Sequence, residues 1–355
     1  MSDALIKQTI NIGEHRIDYI CGPGAIEGYG FPGNDPVFIS KVIDELFPEK
    51  IERIERTRRI VMDDGESIKS LGKYEEVCEI LMKKNIGRDN ILSYVGGGTL
   101  GDLIGFVAST FKRGTGLIAY PTTFLSQIDS SIGGKNGINL NNAKNMLGSF
   151  RNPDTIIADT EFIMGNSSLI LDGLPEAIKH GFSLDYEIIN ILEKTDPEEL
   201  ISGAKLPEFI IRNALAKAEI CNLDPEETGT YRFKLNFGHT VAHGLEAATE
   251  NKISHGMAVL YGMQVEMLMA EIMGKIDSTL REKLNNIMKK YEMNLPGIGE
   301  TTLDDAWKYI ENDKKIRNKM LQLPMITGNG KSEIISIEIS KLKDIYMKTV
   351  ENMFH

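Results

Sequence analysis

Cysteine is scarce in this 355-residue chain, and the three present, Cys21, Cys78 and Cys221, lie far apart with no CxxC pair among them. They make neither a disulfide framework nor a zinc ribbon, and reduced thiols of this kind fit a cytoplasmic protein. An excess of basic charge is also missing: 40 Lys and Arg stand against 51 Asp and Glu, for a net charge of −11. A general nucleic-acid binder neutralises phosphates with a basic face, so that class is excluded, and the acidity serves solubility. No apolar run reaches the length of a membrane span, and the opening MSDALIKQTI has no basic segment leading into an apolar core. No membrane partner is expected. Internal repeats and low-complexity tracts are absent as well.

What is present is a globular balance, 41% hydrophobic and 26% charged, in a chain long enough for two domains. Strands are expected at Val37 to Ser40, Arg58 to Met62, Asn90 to Val95 and Gly116 to Tyr120, with helical spacing over Lys69 to Asn85 and Asp102 to Phe111. That alternation predicts a parallel sheet covered by helices, a Rossmann-like α/β domain over residues 1–165. From about Asn166 the pattern turns to long helical periods, over Ser183 to Lys194, Pro207 to Cys221, Asn236 to Ala248, Met257 to Met273 and Ser278 to Tyr291. Residues 166–355 therefore read as a mainly α-helical domain, with two late strands around Gly-Asn-Gly at Leu321 to Thr327 and Lys331 to Ile337. The methionines of Met257 to Met273 are read as core filler.

Gly96, Gly98 and Gly101 satisfy G-x-G-x-x-G between an expected strand and an expected helix, the setting in which backbone N–H groups hold a pyrophosphate. The acidic residue usually found about twenty positions later to bind a ribose has no counterpart near Gly116 to Thr123. Asp63, Asp64 and Glu66, after the preceding strand, offer acids from the side instead. Asp129 to Asn145, DSSIGGKNGINLNNAKN, sets acid, hydroxyl, lysine and asparagine groups among glycines. Such a composition weakens regular structure, and Lys135 and Lys144 are poor candidates for burial unless an anion meets them. The plain alternative is a solvated loop.

Six histidines occur in the chain, and His239, His243 and His255 fall close together. His239 and His243 share one helical face that Glu246 continues, but Thr240 follows His239, so this is not the metalloprotease H-E-x-x-H. One of that pair suffices as a metal ligand, leaving the other for substrate. In LPEAIKHG, Glu176 and Lys179 stand one turn apart beside His180, placing a carboxylate and a cation on one wall. Two imidazoles and one carboxylate make a catalytic zinc site with an open position.

Taken together, these blocks resemble the 3-dehydroquinate synthase family, within the wider sugar phosphate cyclases. The resemblance runs through DGESIK, GGGTLGDLIGF, FKRG, PTTFLSQIDSSIGGKNGINLNNAKNMLGSF, LPEAIKHG, KAEIC, RFKLNFGHTVAHGLE, ISHGMAV and NDKK, in the family's order. It implies zinc, with cobalt as a substitute, held by Glu176, His239 and His255. It implies NAD held by Asp64, Gly65, Glu66 and Lys69, by Gly96, Gly97, Gly98, Thr99, Leu100, Gly101 and Asp102, and by Thr122, Thr123, Lys135, Lys144 and Phe162. The substrate group it implies is Asp129, Lys135, Asn145, Lys179, Lys217, Arg232, Asn236 and His243, with one of Lys314 and Lys315, and Arg113 contributed across a homodimer. Asn145, Lys179, His243 and Arg113 are assigned to phosphate and proton transfer, and Lys135, Lys217, Arg232 and Asn236 to a carboxylate.

The implied reaction converts 3-deoxy-D-arabino-heptulosonate 7-phosphate to 3-dehydroquinate by transient oxidation, phosphate elimination, reduction and aldol closure, in the shikimate pathway of aromatic amino acid biosynthesis. The alternatives are a sister cyclase of the 2-deoxy-scyllo-inosose or valiolone synthase type and a metal-dependent glycerol or polyol dehydrogenase, which would not need so many lysines. The chain departs from the family pattern in four places. Met257 stands where a glutamate is usual, the interval from Lys217 to Asn236 is one residue longer, MGNSSLILDGLPE replaces a threonine-leucine-proline pattern, and Ser40 and Lys41 follow the first strand in place of an acid.

Overall fold

The computed structural model describes residues 5–141, 143–250, 252–295, 297–312 and 316–354. In chain order its strands are β1 Ile6–Ile12, β2 His15–Gly22, β3 Val37–Ser40, β4 Arg59–Met62, β5 Ile91–Gly96, β6 Gly116–Pro121, β7 Lys135–Leu140, β8 Ala143–Phe150, β9 Thr155–Asp159, β10 Met320–Gly328 and β11 Lys331–Glu338. The chain forms two compact units, residues 1–170 with 198–226, and residues 171–197 with 227–355. Residues 198–226, expected within the helical half, group with the first unit through the helix Leu206–Leu223, which packs on β1 and β2.

The first unit is built on a seven-stranded sheet in the order β1-β2-β9-β6-β5-β3-β4. Every pair is parallel except the β1–β2 hairpin at one edge. The inner strands β3 (VFIS) and β9 (TIIAD) are buried along their whole length, as strands covered on both faces must be. At the edge, β1 exposes Lys7, Gln8 and Thr9 and turns only Ile10 and Ile12 into the core. Behind the sheet, Lys50 meets Glu27, Asp159 and Glu161 at 3.0, 3.0 and 2.6 Å. Burial works against the Lys50 ammonium, but the three carboxylates outweigh it and hold the group charged.

The segment Asp129 to Asn145 is not a solvated loop. After a short π-helical turn over Ser126–Ser130 it enters the antiparallel hairpin β7–β8, with Lys135 opposite Phe150 and Ile138 opposite Leu147. The hairpin packs on the helix Gly98–Thr110, where the absence of a side chain at Gly105 admits Asn136. The Asn136 amide donates to the carbonyls of Gly134 and Arg151 at 2.7 and 2.8 Å and so pins the base of the hairpin.

The second unit is helical, with the antiparallel pair β10–β11 as its described strands. Its helix His255–Ile272 buries most of its residues, and Met263, Met267 and Met269 are core, whereas Met257 and Met273 are half-buried. The expected helix over Ser183 to Lys194 is interrupted: Ser167–Ser183 ends and Glu187–Lys194 begins anew. No helix among the described residues is long and apolar enough to cross a membrane.

A Cβ at Gly105 would lie 1.9 Å from the Asn136 Oδ1. Gly105→Ala is therefore expected to lower unfolding free energy by about 1–3 kcal/mol in urea titrations, whereas Gly72→Ala, where the added methyl meets nothing within 4 Å, leaves it unchanged or higher.

Candidate active site

In the second unit the helices bring Glu176, His239 and His255 together, with one donor atom of each within 4.8 Å of the others. Glu176 Oε1 lies 3.4 Å from His239 Nε2 and 3.2 Å from His255 Nε2. The Lys179 ammonium, one turn along the same helix, pairs with the other carboxylate oxygen. Glu176 and Lys179 are each only 3% exposed. Burial alone would push the Glu176 carboxyl up, but Lys179 and the two histidines reverse this and hold it well below the usual glutamate range.

The approach of the histidine helices is set locally. Gly238 takes a left-handed φ of 79° to start the helix His239–Ala248, and a Cβ there would lie 2.7 Å from Met263. Glu266, buried on the helix His255–Ile272, accepts from the Gly238 and Val241 amides at 2.7 and 3.4 Å, which joins the two helices that carry the imidazoles. The remaining ring nitrogens are also engaged. His239 Nδ1 is 3.2 Å from the Phe237 carbonyl, and His255 Nδ1 is 3.0 Å from Glu246 Oε1. With these carboxylates beside it, the His255 imidazole is pushed up to about 10 while no cation occupies the cluster. His243 is exposed, its ring centroid 5.6 Å from that of His239. Arg232, buried, and Asn236 lie on the 3-10 turn Tyr231–Asn236 that leads into the His239 helix. Lys314 and Lys315 lie outside the described residues.

In the first unit, a cleft of about 220 Å³ opens at the carboxyl ends of the parallel strands. It is lined by Asp64, Gly65, Gly97, Thr99, Leu100, Thr122, Thr123 and Phe162 of the expected nucleotide contacts, together with Ser40. Gly97 precedes the helix Gly98–Thr110 and offers no side-chain oxygen to its first amides. Ser40 donates to Asp64 Oδ1 at 2.5 Å, and Asp64 Oδ2 accepts from the Val42 amide at 3.0 Å. An acid from the end of β4 thus reaches the end of β3, where the chain itself supplies none.

Beside the glycine loop, the buried Lys69 donates to Asp102 Oδ2 at 2.7 Å and Asn145 Oδ1 at 2.5 Å. Asn139, which the motifs did not single out, donates to Glu66 at 2.9 Å and accepts from the Asn145 amide at 2.8 Å. It ties the DGESIK segment to the hairpin. The Lys217 ammonium, on the helix Leu206–Leu223, pairs with Asp129. Lys135 and Lys144 are exposed on β7 and β8. Arg113, exposed and left-handed at φ 66°, lines a recess of about 400 Å³ with Arg88 and Arg151. The implied residues thus fall into two local groups in the first unit, around the cleft and around Asp129 and Asn145, with Arg113 apart in its own recess, and one group in the second.

The fold, a parallel nucleotide-type sheet in one unit and a helical second unit, is one that sugar phosphate cyclases and iron-containing alcohol dehydrogenases share. Within it the chain belongs to the 3-dehydroquinate synthase family: the models of the 3-dehydroquinate synthase N-terminal and C-terminal regions match residues 59–169 and 173–316. A 3-dehydroquinate synthase of Thermoplasma volcanium is 38% identical over 333 residues, 91% of either chain. Among solved structures, 2-deoxy-scyllo-inosose synthase complexed with carbaglucose-6-phosphate, NAD+ and Co2+ has the same fold, with a TM-score of 0.81 at 21% identity over 97% of this chain and 99% of that one. So does a 2-epi-5-epi-valiolone synthase of Streptomyces hygroscopicus with NAD+ and Zn2+ bound, with a TM-score of 0.76 at 22% identity over 90% and 91% of the two chains.

Removing one member of a buried ion pair leaves the other charge uncompensated. In metal-free protein at neutral pH, Lys179→Met is expected to cost up to about 3–5 kcal/mol in urea unfolding, less whatever the two imidazoles retain, and Lys179→Met with Glu176→Gln is expected to recover part of it. Because the Glu176 carboxyl is depressed in the folded chain, the pair's contribution is complete above the ordinary glutamate range and fades as acid protonates the carboxylate below it.

Proposed function

We propose that the chain catalyses the 3-dehydroquinate synthase reaction, in which 3-deoxy-D-arabino-heptulosonate 7-phosphate loses phosphate and closes to the carbocycle 3-dehydroquinate. The observation that carries this reading is the Glu176, His239 and His255 cluster with the Lys179 ammonium against it, in a chain 38% identical to a 3-dehydroquinate synthase over most of both lengths. One carboxylate and two imidazoles, each imidazole with its second nitrogen engaged, suit Zn2+ or Co2+. The glycine-lined cleft above β5 and β6 suits the pyrophosphate and nucleosides of NAD. When bound, the metal supplies Lewis acidity toward a hydroxyl and NAD a reversible hydride acceptor.

The chain's own side chains supply the rest. Glu176, His239 and His255 hold the metal. Lys179, paired with Glu176, lies one turn away to meet a substrate oxygen. His243, exposed next to His239, is placed to exchange a proton, and with Asn145 and Arg113 it serves the phosphate end. Lys135, Lys217, Arg232 and Asn236 serve the carboxylate. Asp64, Thr122, Thr123 and Phe162 line the nucleotide cleft, and the buried Lys69 is paired with the half-buried Asp102. The domain roles follow: the first part of the chain, to about residue 165, binds the nucleotide and the remainder the metal and much of the substrate. The reading includes a cytoplasmic homodimer in which the exposed Arg113 reaches a partner's substrate phosphate.

Incubation with the heptulosonate phosphate, catalytic NAD+ and Zn2+ is expected to release one phosphate per 3-dehydroquinate formed, with no net NADH. Glu176→Ala and His239→Ala are expected to lose turnover and metal together while keeping their circular dichroism. Full activity in a metal-free variant would refute the metal assignment. Equal phosphate release from a sugar phosphate lacking a carboxylate, such as glucose 6-phosphate, would favour a sister cyclase, and stoichiometric NADH from a polyol without phosphate release would establish the dehydrogenase. Lys135→Ala is expected to lose far more turnover than the surface change Lys83→Ala; equal rates would remove the Asp129 to Asn145 segment from the site.

A further inference from the structure

Glu246 stands seven residues after His239, two turns along the same helix and on the same face. Its Oε1 lies 3.0 Å from His255 Nδ1, while His255 Nε2 lies 3.2 Å from Glu176 Oε1. The ring is strung between two carboxylates, one on each nitrogen. A neutral imidazole has a single N–H, so its lone pair faces Glu176 and the metal position only when Nδ1–H is donated to Glu246. Nothing on the His255 helix can take that proton from two places along, because Met257 is there. The His255 side chain is 44% exposed, so packing alone leaves the ring orientation open. His239 differs: its Nδ1 faces a backbone carbonyl that no substitution removes.

We infer that Glu246 is a positioning residue that fixes the tautomer and orientation of His255 and strengthens its nitrogen as a donor to a divalent metal. The inference rests on the proposed metal centre. Charge on the partner matters as well as geometry, since a carboxylate on the far nitrogen makes an imidazole a better ligand than an amide or an alkyl group does.

The test is Zn2+ stoichiometry and affinity, by competition with a chelating indicator, for the wild type, Glu246→Gln, Glu246→Leu, His255→Ala and Glu176→Gln, with unfolding measured in EDTA. The expected result is one Zn2+ per chain in the wild type and in both Glu246 variants. Affinity falls by about 10- to 100-fold in Glu246→Leu and by less in Glu246→Gln, whose amide oxygen still accepts from Nδ1, with metal-free stability little changed. Wild-type affinity in Glu246→Leu overturns the inference, as does a loss equal to that of His255→Ala with a changed Co2+ absorption spectrum, which would make Glu246 a ligand. No binding in the wild type, or undiminished binding in Glu176→Gln, overturns the metal centre itself.

Discussion

A carboxylate that is 3% exposed must be neutralised where it stands, and Glu176 is neutralised by an ammonium from its own helix and imidazoles from two others. Leaving it unpaired would cost several kcal/mol, so the packing of the second unit around it is tightly conditioned. The His239 helix has to begin where Gly238 can turn left-handed against Met263, and its first amides have to be met by Glu266. The His255 helix has to begin at the same level, with Ser254 capping Met257. The chain thus spends two buried carboxylates on one small region, Glu176 toward the imidazoles and Glu266 toward the helix amides. Each serves a separate set of donors, so neither charge can be removed without stranding groups that were placed for it.

Of the strands buried on both faces, β9 was passed over, but β3, β5 and β6 were legible as continuous apolar runs and fall within a residue or so of where the pattern put them. The hairpin β1–β2 was not, because IKQTINI offers two inward residues among polar ones and reads as nothing in particular. The β7–β8 hairpin was hidden for another reason. Its sequence has little β-propensity, and what holds it extended is tertiary: Ile138 in the core and Asn136 seated over Gly105. Helix spacing pointed to His239 and to the pairing of Glu176 with Lys179, since those relations lie within a turn or two of chain. The contact from Glu246 to His255 crosses between helices, and spacing carries no information about it.

Ser40 shows how a departure from a pattern can be answered in space. The sequence lacks an acid after β3, and the structure supplies one from the neighbouring strand, Asp64, held by the Ser40 hydroxyl and the Val42 amide. A serine can serve there because it donates to the carboxylate, where an acid would repel it. The cleft thereby keeps a negative group where β3 and β4 end.

The lysines follow one rule across both units. Lys69, Lys179 and Lys217 are each held by a carboxylate of the chain, Asp102, Glu176 and Asp129 respectively. A cation desolvated in advance of an anionic substrate needs such a counter-charge, because an ammonium buried alone would lose its proton or refuse burial. The pairing also fixes each ammonium near one position before any ligand arrives, which lowers the ordering cost of binding. Lys135 and Lys144 are exposed on the hairpin. A substrate carrying a carboxylate and a phosphate, as in the proposed reaction, would find paired ammonium groups already oriented by the fold.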